Sequence, residues 1–187
     1  MRKLRYNVAS TLDGFIASSD HTTSWIVEDA SIDFTSLYAQ FLTFIMGRHT
    51  YETMLSFGES NPLKSKSVVV VSRKMSPDQQ LGVEVIRDDV INYVKRLKAK
   101  EAGEGNDIWV MGGGSLVGLF LKERLVDSVE VAIMPVVLGE GVKIIHLPAE
   151  GESRESKECT RWTLKLEDCE KKDSGIVMTR YGVFYEC

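Results

Sequence analysis

The chain has 187 residues, 43% hydrophobic and 27% charged, which is ordinary for a globular protein and allows one domain over residues 1–187. A formal net charge of −4 argues against nucleic acid or an anionic membrane as the main partner. No apolar run is long enough to span a bilayer.

Cysteine usage and the amino-terminal sequence predict a cytoplasmic protein. Cys159, Cys169 and Cys187 are odd in number and form no CxxC pair, which indicates reduced thiols rather than disulfides. The three histidines are scattered, so we expect no metal site. The first residues lead directly into a strand pattern, and no signal peptide is evident.

The amino-terminal segment predicts a strand, a turn and a helix. The strand covers residues 3–9, and a short apolar segment at 15–17 follows the turn. After a polar loop, either Asp29 or Ser31 is expected to cap the helix. Three apolar residues at helical spacing would form its buried face: Phe34, Leu37 and Phe41.

The middle of the chain predicts strands that alternate with helices. Residues 68–71 are four valines, a pattern typical of a parallel strand covered on both faces. Further strands are predicted at residues 44–46, 83–86 and 108–111. Helices are predicted at 48–57, from Asp88-Asp89 onwards and at 116–121. Three residues of the first of these helices would face inward: Tyr51, Met54 and Leu55.

The last third of the chain predicts β structure alone. Strands are expected at residues 129–137, 143–147, 161–167 and 176–184, with a charged loop at 150–158. Helices alternate with strands early and strands dominate late. This order predicts an α/β fold whose mixed sheet has parallel central strands and an antiparallel hairpin at its end.

A glycine turn, Gly112-Gly113-Gly114-Ser115, joins a predicted buried strand to a predicted helix. Glycines let the backbone approach a ligand closely, and a helix amino terminus favours an anion such as phosphate. A tight turn without any ligand explains the same residues. The turn alone leaves both interpretations open.

Two further strand ends carry residues suited to phosphate binding. Arg48 and Thr50 follow one strand, and Ser72-Arg73-Lys74 follow the next. Ligands of open α/β sheets bind at the carboxyl ends of strands, so these residues and the glycine turn would share one groove. Each cation taken singly is more simply a solvated surface charge. The dinucleotide fingerprint fails because Val117 stands where its third glycine belongs, and no P-loop lysine follows the turn.

Five short segments occur in the order of a known family: residues 10–17 (STLDGFIA), 47–52 (GRHTYE), 71–73 (VSR), 109–115 (WVMGGGS) and 135–139 (PVVLG). They resemble the dihydrofolate-reductase-like superfamily. The greatest likeness is to the reductase domain of the bifunctional riboflavin-biosynthesis deaminase-reductase, the RibD C-terminal domain. The similarity runs over nearly the whole chain, so we expect a single-domain member without the separate deaminase domain.

The resemblance implies a three-layer α/β/α fold with a mostly parallel sheet of about eight strands. It also implies an NADPH-dependent reductase that forms a homodimer. The hydride acceptor would be a heterocycle, either a pteridine or a 5-amino-6-(5-phosphoribosylamino)uracil. A non-catalytic NADPH-binding module of the same fold is the alternative.

The resemblance assigns cofactor contacts to the segments quoted above. Gly112, Gly113, Gly114 and Ser115 would cradle the pyrophosphate, together with Leu116. Ser72 and Arg73 would bind the 2′-phosphate that distinguishes NADPH from NADH. Further phosphate contacts at the start of one helix would come from Gly47, Arg48, His49 and Thr50. The nicotinamide would be framed by Ala9, Ile16 and Ala17.

Three residues are candidates for the substrate side. Asp33 would be the acid that dihydrofolate reductases place on the first helix, or else a first-turn residue favoured by the helix dipole. Asp13 would contact substrate, or else belong to ordinary Asp-Gly turn chemistry. Trp25 would shield the reacting ring, or else anchor the core or a loop.

Overall fold

The computed structural model describes residues 1–58, 61–76, 82–101, 106–147 and 161–185. The predicted loop at 150–158, Cys159 and Cys187 lie outside these residues. The elements in chain order are β1 Leu4–Thr11, β2 Phe15–Ala17, α1 Phe34–Ala39, β3 Phe41–Gly47, α2 Arg48–Ser56, β4 Ser67–Val71, β5 Val83–Ile86, α3 Val90–Ala99, β6 Asp107–Gly112, α4 Gly114–Lys122, β7 Ser128–Met134, β8 Val142–Lys143, β9 Thr163–Lys171 and β10 Val177–Phe184.

Eight strands form one sheet in the order β5-β4-β3-β6-β1-β7-β10-β9. Each pair from β5 to β7 is parallel, whereas β10 is antiparallel to both β7 and β9. The short strands β2 and β8 pair separately. The predicted mixed, mostly parallel sheet of eight strands that ends in an antiparallel hairpin is confirmed.

The two faces of this sheet carry separate hydrophobic clusters, which gives the predicted three layers. Side chains alternate along β6, so Ile108 and Val110 enter one cluster and Trp109 enters the other. Helices α3 and α4 cover the first face, and α1 and α2 pack on the second. Within the described residues, no helix is long and apolar enough to cross a membrane.

The predicted first helix is wrong in its cap and in part of its buried face. Asp33 caps α1, whereas Asp29 accepts hydrogen bonds from Ser174 Oγ (2.5 Å) and Ser31 N (2.8 Å), which lower its pKa to about 2. Phe34 is 54% exposed, and Phe41 is fully buried at the start of β3. The apolar spacing predicted one helix across a boundary where the sheet, not the helix, buries the second phenylalanine.

Two smaller predictions are also wrong. Tyr51 and Met54 of α2 are buried as expected, but Leu55 is 45% exposed. The predicted strand at 143–147 is cut to Val142–Lys143. After it, the backbone N–H groups of Ile144 and His146 donate to the carbonyls of Gly14 (2.9 Å) and Gly114 (3.1 Å), which are not strand partners.

A buried ion pair joins β1 to β7. Arg5 donates from Nε and Nη2 to the two carboxylate oxygens of Glu130, at 2.6 Å and 2.8 Å. Ser128 Oγ (2.9 Å) and Asn7 Nδ2 (3.0 Å) donate to the same carboxylate. Burial raises the pKa of Glu130, but the hydrogen bond and charge of Arg5 outweigh it and hold the pKa below its ordinary value.

Glu130→Gln should lower the free energy of unfolding by about 3 kcal/mol at pH 7, because it breaks a buried pair. The carboxylate stabilises the fold above its ordinary pKa of 4.5, and this contribution is lost as pH falls through the lowered pKa. The difference in free energy of unfolding between the variant and the wild type should therefore become smaller at acidic pH. Urea titrations between pH 3 and 7 measure it, with exposed Glu123→Gln as the matched control. An equal loss in both variants would contradict the assignment.

Candidate functional site

A cavity of about 560 Å³ lies at the carboxyl ends of the parallel strands. Its lining includes the ends of β1, β3 and β4 and the first turns of α2 and α4. The strands β4, β3, β6 and β1 are consecutive in the sheet, so the three strand ends singled out in the sequence are neighbours. This is the edge at which open α/β sheets bind ligands.

Two glycines begin the helices that face this cavity. Gly47 caps α2 and Gly113 caps α4, and neither helix has a side-chain hydrogen bond at its cap. Strand pairing brings the two turns together, since a Cβ built on Gly47 lies 3.8 Å from Gly113 N and 3.9 Å from Gly112 O. The first N–H groups of both helices lack intrahelical acceptors, so they are available to an anion in the cavity.

The three glycines of the turn differ in why the backbone or the packing requires glycine at each position. Gly112 has a φ of +133°, which other residues rarely adopt. A Cβ on Gly114 would overlap the carbonyl oxygen of Lys143 and lie 3.1 Å from that of Ile144. A Cβ on Gly113 would meet nothing within 4 Å, although the residue lines the cavity. Gly114 is therefore needed for packing, and Gly113 leaves open space beside the helix start.

A charged and aromatic cluster lies at the start of α2. Arg48 Nη1 donates to Glu52 Oε1 at 2.6 Å, and Nη2 lies 3.0 Å from His49 Nε2. A guanidinium only donates, so His49 Nε2 accepts. His21, from the loop after β2, stacks on His49 with ring centroids 4.7 Å apart and planes 6° apart. The loop is thereby held against the cavity beside Arg48, since all three of these side chains line it.

Another part of the cavity lining is apolar. Ala9 of β1 and Ile16 and Ala17 of β2 line it, together with Val142 of β8. Small side chains at Ala9 and Ala17 leave room for a flat ring. The remaining predicted cofactor residues on the lining are Gly47, Arg48, His49, Thr50, Gly113, Gly114, Ser115 and Leu116.

Three predicted cofactor residues lie just outside the lining. Gly112 is directly behind it, because its built Cβ is 3.6 Å from Thr50 Oγ1. Ser72 and Arg73 follow Val71, which does line the cavity. The Ser72 hydroxyl accepts hydrogen bonds from Lys74 N (3.2 Å) and Met75 N (3.1 Å) and shapes this turn, whereas Arg73 is exposed.

The two predicted acids do not reach the cavity. Asp33 is exposed and accepts from Ser36 Oγ (2.6 Å) and Ser36 N (3.0 Å), which lower its pKa. An exposed carboxylate with a lowered pKa is ionised at neutral pH, so this geometry does not support Asp33 as a proton donor. Asp13 accepts from Thr11 Oγ1 (2.6 Å) and Gly139 N (2.7 Å) and joins two of the sequence segments that carry the resemblance.

Trp25 is half-buried between Thr23 and Ile26, two residues that line the cavity. Its indole Nε1 is buried and has no hydrogen-bond partner, alone among the side-chain atoms of the described ranges. A buried donor without an acceptor is costly, so a ligand acceptor would stabilise this residue.

Sequence reasoning missed several residues on the lining. Thr53 lies one helical turn after His49, and Leu119 lies one turn after Ser115, so helical periodicity could have identified both. His21 carried no such signal because its position depends on how the polar loop folds back over α2. The same holds for Thr23 and Ile26, which line the cavity from that loop's end.

Comparison with known proteins agrees with this architecture. The model of the RibD C-terminal domain family matches residues 2–178. The chain belongs to the RibD C-terminal domain family. The uncharacterized protein YwjB of Bacillus subtilis (strain 168) is 31% identical over 148 residues, which are 78% of this chain and 83% of that protein.

Solved structures share the fold of this RibD C-terminal domain. A putative riboflavin biosynthesis protein from Shewanella sp. PV-4 has a TM-score of 0.76 at 25% identity, over 99% of this chain and 100% of the other. A dihydrofolate reductase from Enterococcus faecalis, complexed with NADP(H) and RAB-propyl, has a TM-score of 0.65 at 18% identity, over 97% and 96%. The domain therefore has a reductase-type fold.

The packing of this RibD C-terminal domain predicts effects of different size on stability at two adjacent glycines. Gly114→Ala should lower the free energy of unfolding by about 1–3 kcal/mol, because the added methyl group must displace backbone at Lys143. Gly113→Ala should change it by less than about 0.5 kcal/mol, because the position is open and its φ of −82° suits alanine. Chemical denaturation of both variants measures the difference, and equal stabilities would contradict the role given to Gly114.

Proposed function

We propose that this protein is an NADPH-dependent reductase that transfers hydride to a nitrogen heterocycle. The observation that carries the proposal is the pair of glycine-capped helices beside Arg48, which open on the same cavity as an apolar wall. The dihydrofolate reductase of similar fold was solved with NADP(H), which supports this choice of cofactor. Protein fold alone does not define activity, so the proposal depends on the site.

The residues present fit the diphosphate of a dinucleotide. The open space at Gly113 accepts a group where a side chain would otherwise stand. The free amides of α2 and α4 donate to phosphate oxygens, and Arg48 supplies a positive charge held in place by Glu52. Thr50 and Ser115 add hydroxyl donors on the lining.

The turn after β4 fits a 2′-phosphate. Arg73 and Lys74 are exposed cations at the edge of the cavity beyond Val71. The Ser72 hydroxyl accepts two backbone hydrogen bonds, yet it keeps its own proton to donate. Cations at this position would favour NADPH over NADH, because only NADPH carries the additional phosphate.

The apolar wall fits a nicotinamide ring. When bound, NADPH would supply the hydride. Ala9, Ile16 and Ala17 would set the distance of the ring from the sheet and exclude water from it. The acceptor would be a pteridine or a 5-amino-6-(5-phosphoribosylamino)uracil. Trp25 Nε1, a buried donor without a partner, is a candidate contact for the acceptor, because its sequence neighbours Thr23 and Ile26 line the cavity.

One observation favours a second candidate function, an NADPH-binding module without turnover. No carboxylic acid occurs among the described residues that line the cavity. Its titratable side chains are His21, Arg48 and His49, which cluster at the phosphate end. If the protein is a reductase, the proton for the reduced heterocycle would come from water or a histidine. If it is a binding module, no reduction occurs.

We also propose that the protein works in the cytoplasm as a homodimer. The exposed apolar side chains of the terminal hairpin, Leu164, Leu166 and Phe184, support an association through β9 and β10. Light scattering should give twice the monomer mass. A monomer at 0.1 mM would contradict this part of the proposal.

Cofactor binding tests the main proposal. Saturating NADPH should raise the melting temperature far more than NADH, and no shift with NADPH would exclude the reductase. Gly113→Ala should weaken NADPH binding about tenfold or more while leaving the fold stable, because the methyl group occupies the phosphate space. Arg73→Ala should weaken NADPH binding and leave NADH binding unchanged, with exposed Lys95→Ala on α3 as the matched control.

Turnover distinguishes the two candidate functions. NADPH oxidation should be followed at 340 nm with 7,8-dihydropterin and with 5-amino-6-(5-phosphoribosylamino)uracil as acceptors. Oxidation that depends on an acceptor supports the reductase. Tight NADPH binding without oxidation by any heterocycle in a wider panel would support the binding module.

A further inference from the structure

Residues 136–146 follow β7 and contact both the turn between β1 and β2 and the start of α4. We call this stretch of chain the strap. It contains β8, and its Val142 lines the cavity. The strap therefore touches the part of the cavity proposed for the nicotinamide as well as the part proposed for the diphosphate.

The last residues of the strap pack directly on α4. His146 N–H donates to the carbonyl of Gly114 at 3.1 Å. A Cβ on Gly114 would overlap the carbonyl oxygen of Lys143, and a Cβ on Gly118 would overlap that of His146. The strap backbone is thus in contact with the helix backbone at two positions, one helical turn apart. The glycine turn and the strap share one boundary.

The middle of the strap packs on β2, which carries part of the apolar wall. Strands β2 and β8 are antiparallel, with Val142 opposite Ala17. A Cβ on Gly141 would overlap the carbonyl oxygen of Ala17, so the two backbones touch there as well. Ile144 N–H donates to the carbonyl of Gly14 at 2.9 Å. The position of Ala17 in the wall therefore depends on the position of the strap.

The carboxylate of Asp13 holds the first residues of the strap. It accepts a hydrogen bond from Gly139 N at 2.7 Å, and Leu138 N lies 3.2 Å from both of its oxygens. A backbone bond from Leu12 N to the carbonyl of Val136 (2.8 Å) lies beside them. Hydrogen bonds to an ionised acceptor are roughly twice as strong as neutral ones, so the carboxylate is the stronger attachment.

Thr11 connects the same carboxylate to β2. Its Oγ1 donates to Asp13 Oδ1 at 2.6 Å and accepts from Phe15 N at 3.0 Å, since a hydroxyl both donates and accepts. The hydrogen bond from Thr11, with those from Gly139 and Leu138, holds the pKa of Asp13 below its ordinary value. The carboxylate is therefore ionised at neutral pH and joins the end of β1, the start of β2 and the strap.

We propose that Asp13 is a positioning residue for the nicotinamide end of the cofactor, because its carboxylate fixes the strap and the strap fixes the apolar wall. Asp13 itself is not on the cavity lining. The sequence allowed either a substrate contact or ordinary turn chemistry at this residue, and the geometry points to a third role. The inference rests on the proposed function, since the wall is the proposed nicotinamide site.

Two ligands separate the nicotinamide end from the rest of the cofactor site. NADPH carries the nicotinamide, whereas adenosine 2′,5′-bisphosphate does not. In isothermal titrations, Asp13→Ala should weaken NADPH binding about tenfold, because fewer molecules hold the wall in its binding position. Binding of adenosine 2′,5′-bisphosphate should stay within twofold of wild type. The matched control is Asp173→Ala, an exposed aspartate in another turn, with both affinities unchanged.

Amide hydrogen exchange of the free protein tests the strap without any ligand. In Asp13→Ala, exchange should rise about tenfold at Ile144 and His146. Their N–H groups bond to Gly14 and Gly114, so a faster rate there reports movement of the strap rather than loss of the carboxylate itself. The amides of β4, which does not contact the strap, should keep their wild-type rates.

Asp13→Asn keeps the size of the side chain and gives the same comparison if Asp13→Ala does not fold. It should weaken NADPH binding about threefold or more, because it removes the charge on the acceptor. The carboxylate is lost only as pH falls through its lowered pKa, below the ordinary 3.8. The ratio of wild-type to variant affinity should therefore be constant between pH 6 and 8. A ratio that changes over this range would indicate a proton-transfer role and contradict positioning.

The outcomes separate this inference from the proposed function. Equal weakening of both ligands in the Asp13 variants, or weakening of neither, would overturn the positioning role. Unchanged exchange at Ile144 and His146 would overturn it as well. If the wild-type protein binds neither ligand, the proposed function fails, and the exchange rates still decide whether Asp13 fixes the strap.

Discussion

Parallel pairing of β3 with β6 is the constraint on which the site depends. It brings the ends of two strands into register, with Met46 opposite Gly112, so the backbone turns at Gly47 and Gly113 touch. The two helices leave adjacent strands and pack on opposite faces of the sheet. Two helix amino termini therefore face one cavity, and their dipoles favour the same anion.

Much of this arrangement follows from local sequence. The valines of β4 are typical of a strand covered on both sides, and the glycine turn predicted both the end of β6 and the start of α4. The sequence-based predictions failed at residues whose secondary structure is decided by long-range contacts. Phe41 fits helical spacing with Leu37, yet it is buried by β6 and Trp109 across the sheet. Ile144 is apolar like a strand residue, yet its N–H bonds to Gly14.

The candidate site shows the same division. Residues that follow strands directly, such as Arg48 and Ser115, were predictable because strand ends of one parallel sheet share an edge. His21 was not, since it reaches the cavity only through its stack on His49. The acid predicted at Asp33 illustrates the opposite error. A carboxylate three residues before Ser36 satisfies the helix start, and capping explains it without any ligand.

The buried Arg5–Glu130 pair orients neighbouring groups in this half of the sheet, a role that an apolar pair of equal stability would lack. A buried ion pair stabilises a fold little more than a well-packed apolar pair would, because desolvation of both charges opposes their attraction. Unlike an apolar pair, an ion pair forms directional hydrogen bonds that orient the neighbouring side chains. Arg5 also donates to Gln40 at 2.8 Å, so the end of α1 is tied to β1, while Glu130 fixes the amide of Asn7. The ion pair thus couples the position of the end of α1 to the orientation of the Asn7 amide on β1.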